Sequence, residues 1–276
     1  MNVAIVGLGL MGGSLALSLK KLDFIDSIVG CDHNEHHTKQ ALELKLVDKI
    51  IEFRSLKNYD VIFLAIPVNG IIASLENLTD VGEDVTIIDL GSTKELIVSK
   101  IPISIRKNCV ASHPMTGTEN FGPTAAIEEL YKDKVVVLCD LEDSGQLQCR
   151  VAKKIFKSLE MKKYFMHSHE HDRHAAFISH MPHAISFSIA NTVMKQENKH
   201  NILALAAGGF RSMSRLAKSS PDMWEDIFKQ NKGNLLEAIE LFEKELDKLK
   251  QDIINDDFKL VNKSMKDGNK LHDILD

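Results

Sequence analysis

The sequence predicts an α/β fold, an N-terminal doubly wound parallel sheet followed by an all-α C-terminal domain. Three observations carry this prediction. The apolar run Val3 to Val6 leads into a glycine turn, Gly7-Leu8-Gly9-Leu10-Met11-Gly12-Gly13, and then into Leu15, Ala16, Leu19 and Leu22 at helical spacing. Strand-like and helical segments alternate from there to residue 166. Beyond that point the β-branched runs vanish and the chain reads as helical throughout.

The alternation continues through Ile28 to Cys31 (strand), Thr38 to Leu46 (helix), Val61 to Ile66 (strand), Ile71 to Leu78 (helix) and Val85 to Leu90 (strand). Strands alternating with helices imply right-handed βαβ crossovers and therefore parallel neighbours. Cys109 to Ser112, Val135 to Leu138 and Tyr164 to Met166 read as further strands, with an amphipathic helix over Gln146 to Leu159. Residues 1–166 are thus expected to form one domain and 167–276 a second, helical one. In the second, helices are expected over Glu170 to Lys195, Ile202 to Leu216 and Pro221 to Ile254, with a short tail helix. Pro182 falls inside the first of them, where a missing N–H should kink the axis near His180 and His183. Ser220-Pro221 reads as an N-cap followed by proline at the first helical position. Leu235, Ile239, Phe242, Leu246, Leu249 and Ile253 recur at alternating spacings of four and three, a heptad-like seam that fits intrachain packing and dimerisation equally well.

At 276 residues, 44% hydrophobic and 26% charged, the chain has the composition of a soluble globular protein with core enough for two domains. Its net charge of -5 and the lack of a basic stripe argue against a nucleic-acid footprint, so an anionic ligand must be held by local cations. Cys31, Cys109, Cys139 and Cys149 match neither a zinc ribbon nor a disulfide framework and are read as buried reduced thiols. The start enters a strand directly, without a leader or a membrane-spanning run, and a cytoplasmic location is expected.

Gly7, Gly9 and Gly12 form a Gly-x-Gly-x-x-Gly that follows a strand and opens a helix, which is the context a Rossmann-type dinucleotide site requires. A helix N-terminus offers unpaired N–H groups and partial positive charge to a pyrophosphate. Leu8, Leu10 and Met11 complete the turn, and Ala65 and Pro67, at the end of the Val61 strand, are counted with it. Asp32 ends the second strand twenty residues after Gly12, where a carboxylate accepts from ribose hydroxyls and repels a 2′-phosphate, so the expected cofactor is NAD. Arg54 is the one residue that points to NADP, and a solvated surface charge is the plainer reading of it.

His113-Pro114-Met115-Thr116-Gly117-Thr118-Glu119 follows a strand's carboxyl end, as does Asp89-Leu90-Gly91-Ser92-Thr93-Lys94. Those ends form the ligand crevice of a doubly wound sheet. A neutral imidazole there can take a proton from an alcohol as hydride leaves the same carbon, which makes His113 the candidate base. Ser92 either orients that alcohol or starts a helix, since Ser-Thr-Lys-Glu also reads as a capping box. Arg211 and Arg215 lie four apart and can face anionic groups together, although Arg211 equally fits a pair with an acidic neighbour.

Taken together, these segments, with Ser179-His180-Met181-Pro182-His183 and Gly208-Gly209-Phe210-Arg211 through Arg215, resemble the prephenate dehydrogenase family and its arogenate-using relatives in tyrosine biosynthesis, over nearly the whole chain. The resemblance implies oxidative decarboxylation of prephenate to 4-hydroxyphenylpyruvate and CO2 with NAD as hydride acceptor. It also implies that Arg215 grips the ring carboxylate, that His183 contacts the pyruvyl side chain, and that Glu119 lines the site and pairs with Arg215. As a bare sequence feature Glu119 could equally cap a helix. The helical domain is implied to bind substrate and to form a homodimer. Ser212 departs from the pattern, because many relatives carry an acid there. From the length a monofunctional enzyme is expected, without a fused mutase or sensing domain.

His167, His169, His171 and His174 invite a metal reading, but their spacing scatters them around a helix, and no metal is expected. Two rival functions remain: a β-hydroxyacid dehydrogenase, which would draw a lysine base from the helical domain, and an NAD-sensing module without turnover.

Overall fold

The computed structural model describes Met1–Leu275. Its first strands and helices are β1 (Asn2–Val6), α1 (Leu10–Leu19), β2 (Ser27–Cys31), α2 (Glu35–Glu43), β3 (Lys49–Ile50), β4 (Val61–Leu64), α3 (Val68–Glu76), β5 (Thr86–Asp89) and α4 (Glu95–Ser99). They are followed by β6 (Cys109–Pro114), β7 (Val135–Cys139), α5 (Gln146–Ser158) and β8 (Lys162–Met166). The helices after the sheet are α6 (Ser168–Ala175), α7 (Met181–Met194), α8 (Lys199–Ala204), α9 (Gly208–Ser214), α10 (Pro221–Gln230), α11 (Lys232–Ile254), α12 (Phe258–Asn269) and α13 (His272–Leu275).

The eight strands form one sheet in the order β3-β2-β1-β4-β5-β6-β7-β8. The chain leaves β1 toward β2 and β3, then returns to its other side at β4, so β1 and β4 flank the topological switch point where such sheets bind ligands. One expectation is corrected: β6 and β7 run antiparallel, with Ala111 opposite Cys139 and His113 opposite Val137. No helix crosses over between these two strands, which is the connection a parallel pair needs.

Alternation along each strand feeds two apolar layers. Val3, Ile5 and Phe63 pack with Leu15, Leu19, Ile155 and Phe156 on the α1/α5 face. Ala4, Ile62 and Leu64 pack with Val68, Ile71, Leu75 and Ile97 on the α3/α4 face. Strands buried on both faces read as unbroken apolar runs, which is why their sequence showed no alternation. The cysteines are free, Cys109 and Cys139 buried and Cys31 and Cys149 only partly so.

By compactness the chain forms two units, Met1–Asn231 and the part from Lys232 on, so α6 to α10 belong to one body with the sheet. Three helix expectations change. The long helix over Glu170 to Lys195 is α6 and α7 joined by a π turn, Ala176–His180, and Pro182 sits in the first turn of α7, where its missing N–H falls next to that wider turn. The helix over Ile202 to Leu216 is broken between α8 and α9, and Arg215–Lys218 tightens into a 3₁₀ turn. The helix from Pro221 to Ile254 is interrupted at Asn231, whose side chain donates to the Asp172 carbonyl at 2.6 Å and bonds His180 Nδ1 at 3.0 Å. Ser220 caps α10 as expected, accepting from Met223 N–H, with Pro221 in the first turn.

In the second unit α11 packs on α12, with Leu235, Ala238 and Val261 buried. The seam residues Leu246 and Ile253 stay exposed, as do Phe258 and Met265. Among the described residues no helix is long and apolar enough to cross a membrane.

Candidate active site

Gly7 ends β1 at φ +89°, a conformation that favours glycine, and a Cβ there would strike the Ala65 carbonyl. A Cβ on Gly12 would run into the Gly7 carbonyl, so the first turn of α1 can lie against the loop only without one. A Cβ on Gly9, by contrast, would meet only the Gly122 nitrogen at 4.0 Å, an ordinary contact, and Gly9 precedes α1 with no side chain capping the helix. The N–H groups of that turn are therefore offered outward with the positive end of the helix dipole, the arrangement a pyrophosphate fits.

Asp32 braces the same turn from the end of β2. Its Oδ2 accepts from Leu8 N–H at 2.8 Å and its Oδ1 from Asn34 N–H at 2.9 Å, with His37 Nδ1 3.4 Å away. Each oxygen keeps a lone pair for a ribose hydroxyl. Leu8 and Leu10 are buried, and the Met11 carbonyl accepts from Tyr131 Oη at 2.8 Å. Ala65 extends β4 by donating to the Val6 carbonyl, and Pro67 stands exposed at the start of α3. Arg54 is engaged by Glu52 on the surface.

The second part of the site stands at the carboxyl ends of β5 and β6. Asp89 accepts from Gly91 N–H at 3.0 Å, from Ser112 N–H at 3.3 Å and from the ammonium of Lys94, a lysine with no exposed surface. Ser112 Oγ returns a bond to the Asp89 carbonyl at 2.5 Å, clamping the 89–94 loop to β6. Ser92 lies half-buried within that loop. It does not cap α4, because the two N–H groups that open this helix, Lys94 and Glu95, donate at 2.7 and 2.9 Å to Asp172 of α6.

His113 is 9% exposed at the end of β6. Its Nδ1 lies 2.8 Å from His171 Nε2, and His171 Nδ1 lies 2.8 Å from Asp172 Oδ1. Burial, helped by His171, Lys94 and His180, holds His113 well below the ordinary histidine value. Burial also pushes His180 down to about 4, against the opposing pull of Asp172. Both rings are neutral at pH 7.

Farther along, Glu119 and Arg215 approach to 3.5 Å, both partly exposed. His183 donates Nδ1–H to the Ser179 carbonyl at 2.9 Å and stacks on Trp224 with centroids 3.6 Å apart, so its free nitrogen is Nε2. Burial lowers its pKa, and Arg215 adds to that. Among the described residues Arg211 pairs with no acid: its Nε donates to the Ala206 carbonyl at 3.3 Å, and α9 ends before Arg215. Ser212 is exposed.

The four clustered histidines do not converge. His167 turns to Asp140 and Glu142 at 3.2 and 3.3 Å and stacks on His169, His174 points to solvent, and His171 turns inward to His113. The sequence assigns no role to Asp172, and it shows His171 and Lys94 only as one of four scattered histidines and as part of a loop. A histidine and an aspartate adjacent in the middle of α6 were the available signal, set among three other histidines.

Residues 15–164 match the family model for the prephenate dehydrogenase nucleotide-binding domain, and residues 167–267 match that for the prephenate dehydrogenase dimerization domain. The prephenate dehydrogenase of Bacillus subtilis is 31% identical over 263 residues, 93% of this chain and 71% of that protein. The crystal structure of prephenate dehydrogenase from A. aeolicus in complex with hydroxyphenyl propionate and NAD+ superposes with a TM-score of 0.93 at 31% identity, covering 100% of this chain and 98% of that one. Synechocystis arogenate dehydrogenase gives a TM-score of 0.82 at 25% identity, with 100% of both chains covered. With the glycine turn at the switch point and a buried histidine at the end of β6, the chain belongs to the prephenate dehydrogenase family.

Proposed function

We propose that the protein catalyses the NAD-dependent oxidative decarboxylation of prephenate to 4-hydroxyphenylpyruvate and CO2. The observation that carries the reading furthest is His113, buried and neutral at the same sheet edge as an open, uncapped helix start. Residues 1–166 hold the cofactor: the turn from Gly7 to Gly12 receives the pyrophosphate, Asp32 the adenosine ribose, and Ala65 and Pro67 line the cleft. NAD supplies the hydride acceptor.

His113 Nε2 takes the proton of the ring hydroxyl as hydride leaves the same carbon. The ring carboxylate departs as CO2, the electron pair of the broken C–C bond completes the aromatic ring, and His113 returns the proton to the phenolate oxygen. Ser92 orients the hydroxyl. Arg215 binds the ring carboxylate with Glu119 as its partner at the entrance, and His183 and Arg211 serve the pyruvyl side chain. The second reading is arogenate dehydrogenase, which gives tyrosine directly from a substrate carrying a protonated amine in place of the keto oxygen. The test is NADH production from each substrate in parallel, with wild type and His113→Asn. Prephenate is expected to be preferred, and His113→Asn to lose about 10³-fold or more in kcat with NAD binding intact. Preference for arogenate overturns the substrate assignment, and an active His113→Asn overturns the base.

Residues 167–276 are assigned to substrate binding and homodimerisation. The apolar α7 buries only Ser186 of its fourteen residues, and Leu246 and Ile253 leave the α11 seam 53% and 49% exposed, surface that a second copy would cover. A sedimentation profile of a monomer at every concentration rules the dimer out. Free thiols and a nicotinamide-linked reaction support a cytoplasmic location.

A further inference from the structure

We propose that His171 and Asp172 are positioning residues that fix the tautomer of His113 and compensate its charge. The proposal rests on the reading of His113 as the base.

With His171 neutral, hydrogen-bond directions set the tautomers of both rings. Asp172 accepts backbone N–H bonds from Lys94 at Oδ1 and from Glu95 at Oδ2, so it acts as acceptor on both oxygens. The 2.8 Å contact from Asp172 Oδ1 to His171 Nδ1 therefore needs the hydrogen on that nitrogen. A neutral His171 then has a bare lone pair on Nε2, and its 2.8 Å contact to His113 Nδ1 needs the hydrogen on His113. What remains on His113 is a lone pair on Nε2, the form in which that atom can accept a proton.

The same chain answers a problem of charge. When His113 takes up the substrate proton it becomes a cation with almost no water around it and with buried Lys94 close enough to oppose it. Asp89 holds the Lys94 ammonium. Asp172 is the carboxylate left at the end of the histidine chain, and the His113 Nδ1–H bond to His171 shortens and strengthens as its donor becomes charged. Each member is anchored: Asp172 by the start of α4, its backbone carbonyl by Asn231, and His171 by burial between the two. The construction follows the logic of the serine-protease triad, with a histidine inserted between base and carboxylate.

Asp172→Asn reverses the chain. An amide N–H facing His171 Nδ1 moves the His171 hydrogen to Nε2, which then donates to His113 Nδ1 and leaves His113 with its hydrogen on Nε2, the wrong tautomer. The expected result is a kcat loss of about 10³-fold with KM for prephenate and affinity for NAD changed less than about threefold. Because Asp172 also caps α4, a second pair of variants keeps that cap. His171→Gln, whose amide oxygen can still accept from His113 Nδ1, should retain at least ten times more turnover than His171→Leu, which cannot. A third measurement uses the unaltered protein: ¹⁵N imidazole shifts should report His113 with its hydrogen on Nδ1. Hydrogen on Nε2, or wild-type kcat in both Asp172→Asn and His171→Leu, overturns the relay. An inactive His113→Asn beside a fully active Asp172→Asn and His171→Leu defeats the relay alone, whereas an active His113→Asn defeats the base and the relay with it.

Discussion

Two helix starts in this molecule are treated in opposite ways. The first turn of α1 has no capping side chain, is uncrowded at Gly9 and is held by backbone geometry at Gly7 and Gly12. The first turn of α4 is filled by the Asp172 carboxylate, brought from 78 residues away, in a region that also buries His113, His171, His180 and Lys94. Both starts offer N–H groups and partial positive charge. One keeps them free for an anion that arrives with the cofactor, and the other uses them to fix the carboxylate that orients the base. The difference separates binding from acid–base chemistry within a single sheet edge.

The largest expected effect tests whether the two ends are independent. Gly12→Val places branched carbon against the Gly7 carbonyl and should cost about 10²–10³-fold in NAD affinity, while the His113 tautomer read by ¹⁵N shifts stays unchanged. Loss of both together would show that the two starts are one cooperative unit.

An intermediate effect sharpens the dry end. His113 and His180 have depressed pKa values in the folded protein, burial being the first cause of each. Both sites are neutral when folded, whereas the unfolded chain takes up protons near 6.5. Their contribution is therefore complete above pH 6.5 and is lost as pH falls from there through about 4 for His180. For His180 this amounts to about 3 kcal/mol across the window. Denaturant midpoints measured at pH 7 and pH 4 should show a smaller drop in His180→Gln than in wild type; equal drops would mean that His180 does not titrate on unfolding.

The smallest effect probes the open end. Asp32→Asn keeps an oxygen for Leu8 N–H but removes the charge, and should weaken NAD binding about tenfold while narrowing the preference over NADP. Unchanged discrimination would assign cofactor choice to another group.

The two ends also differ in how far they could be read from residues alone. The glycine turn is local: three glycines, a preceding apolar run and a following helical period occupy one stretch of chain, and the structure puts that stretch at the switch point. His113 was legible as a candidate because it follows a strand and opens a loop of small residues. Its partners were not. His171 was read as one of four scattered histidines, and Lys94 as part of a helix start, because no periodicity indicates that a side chain 58 residues away accepts from a ring nitrogen. The Pro221 to Ile254 helix was drawn unbroken for the same reason: the interruption at Asn231 answers to Asp172 and His180, not to its own neighbours.

By itself the sequence determined the α/β architecture, the dinucleotide turn and the helical character of the chain past residue 166, which rest on short-range spacing, and membership of the family, which rests on the resemblance of motifs spread along the chain. Only the tertiary structure decided that β7 runs antiparallel, that a π turn accommodates Pro182, and that Asp172 both caps α4 and ends a histidine chain. The physical reason is that burial makes each polar group find a partner wherever the fold supplies one. Those partners are set by packing across the molecule and leave no periodic trace in the chain.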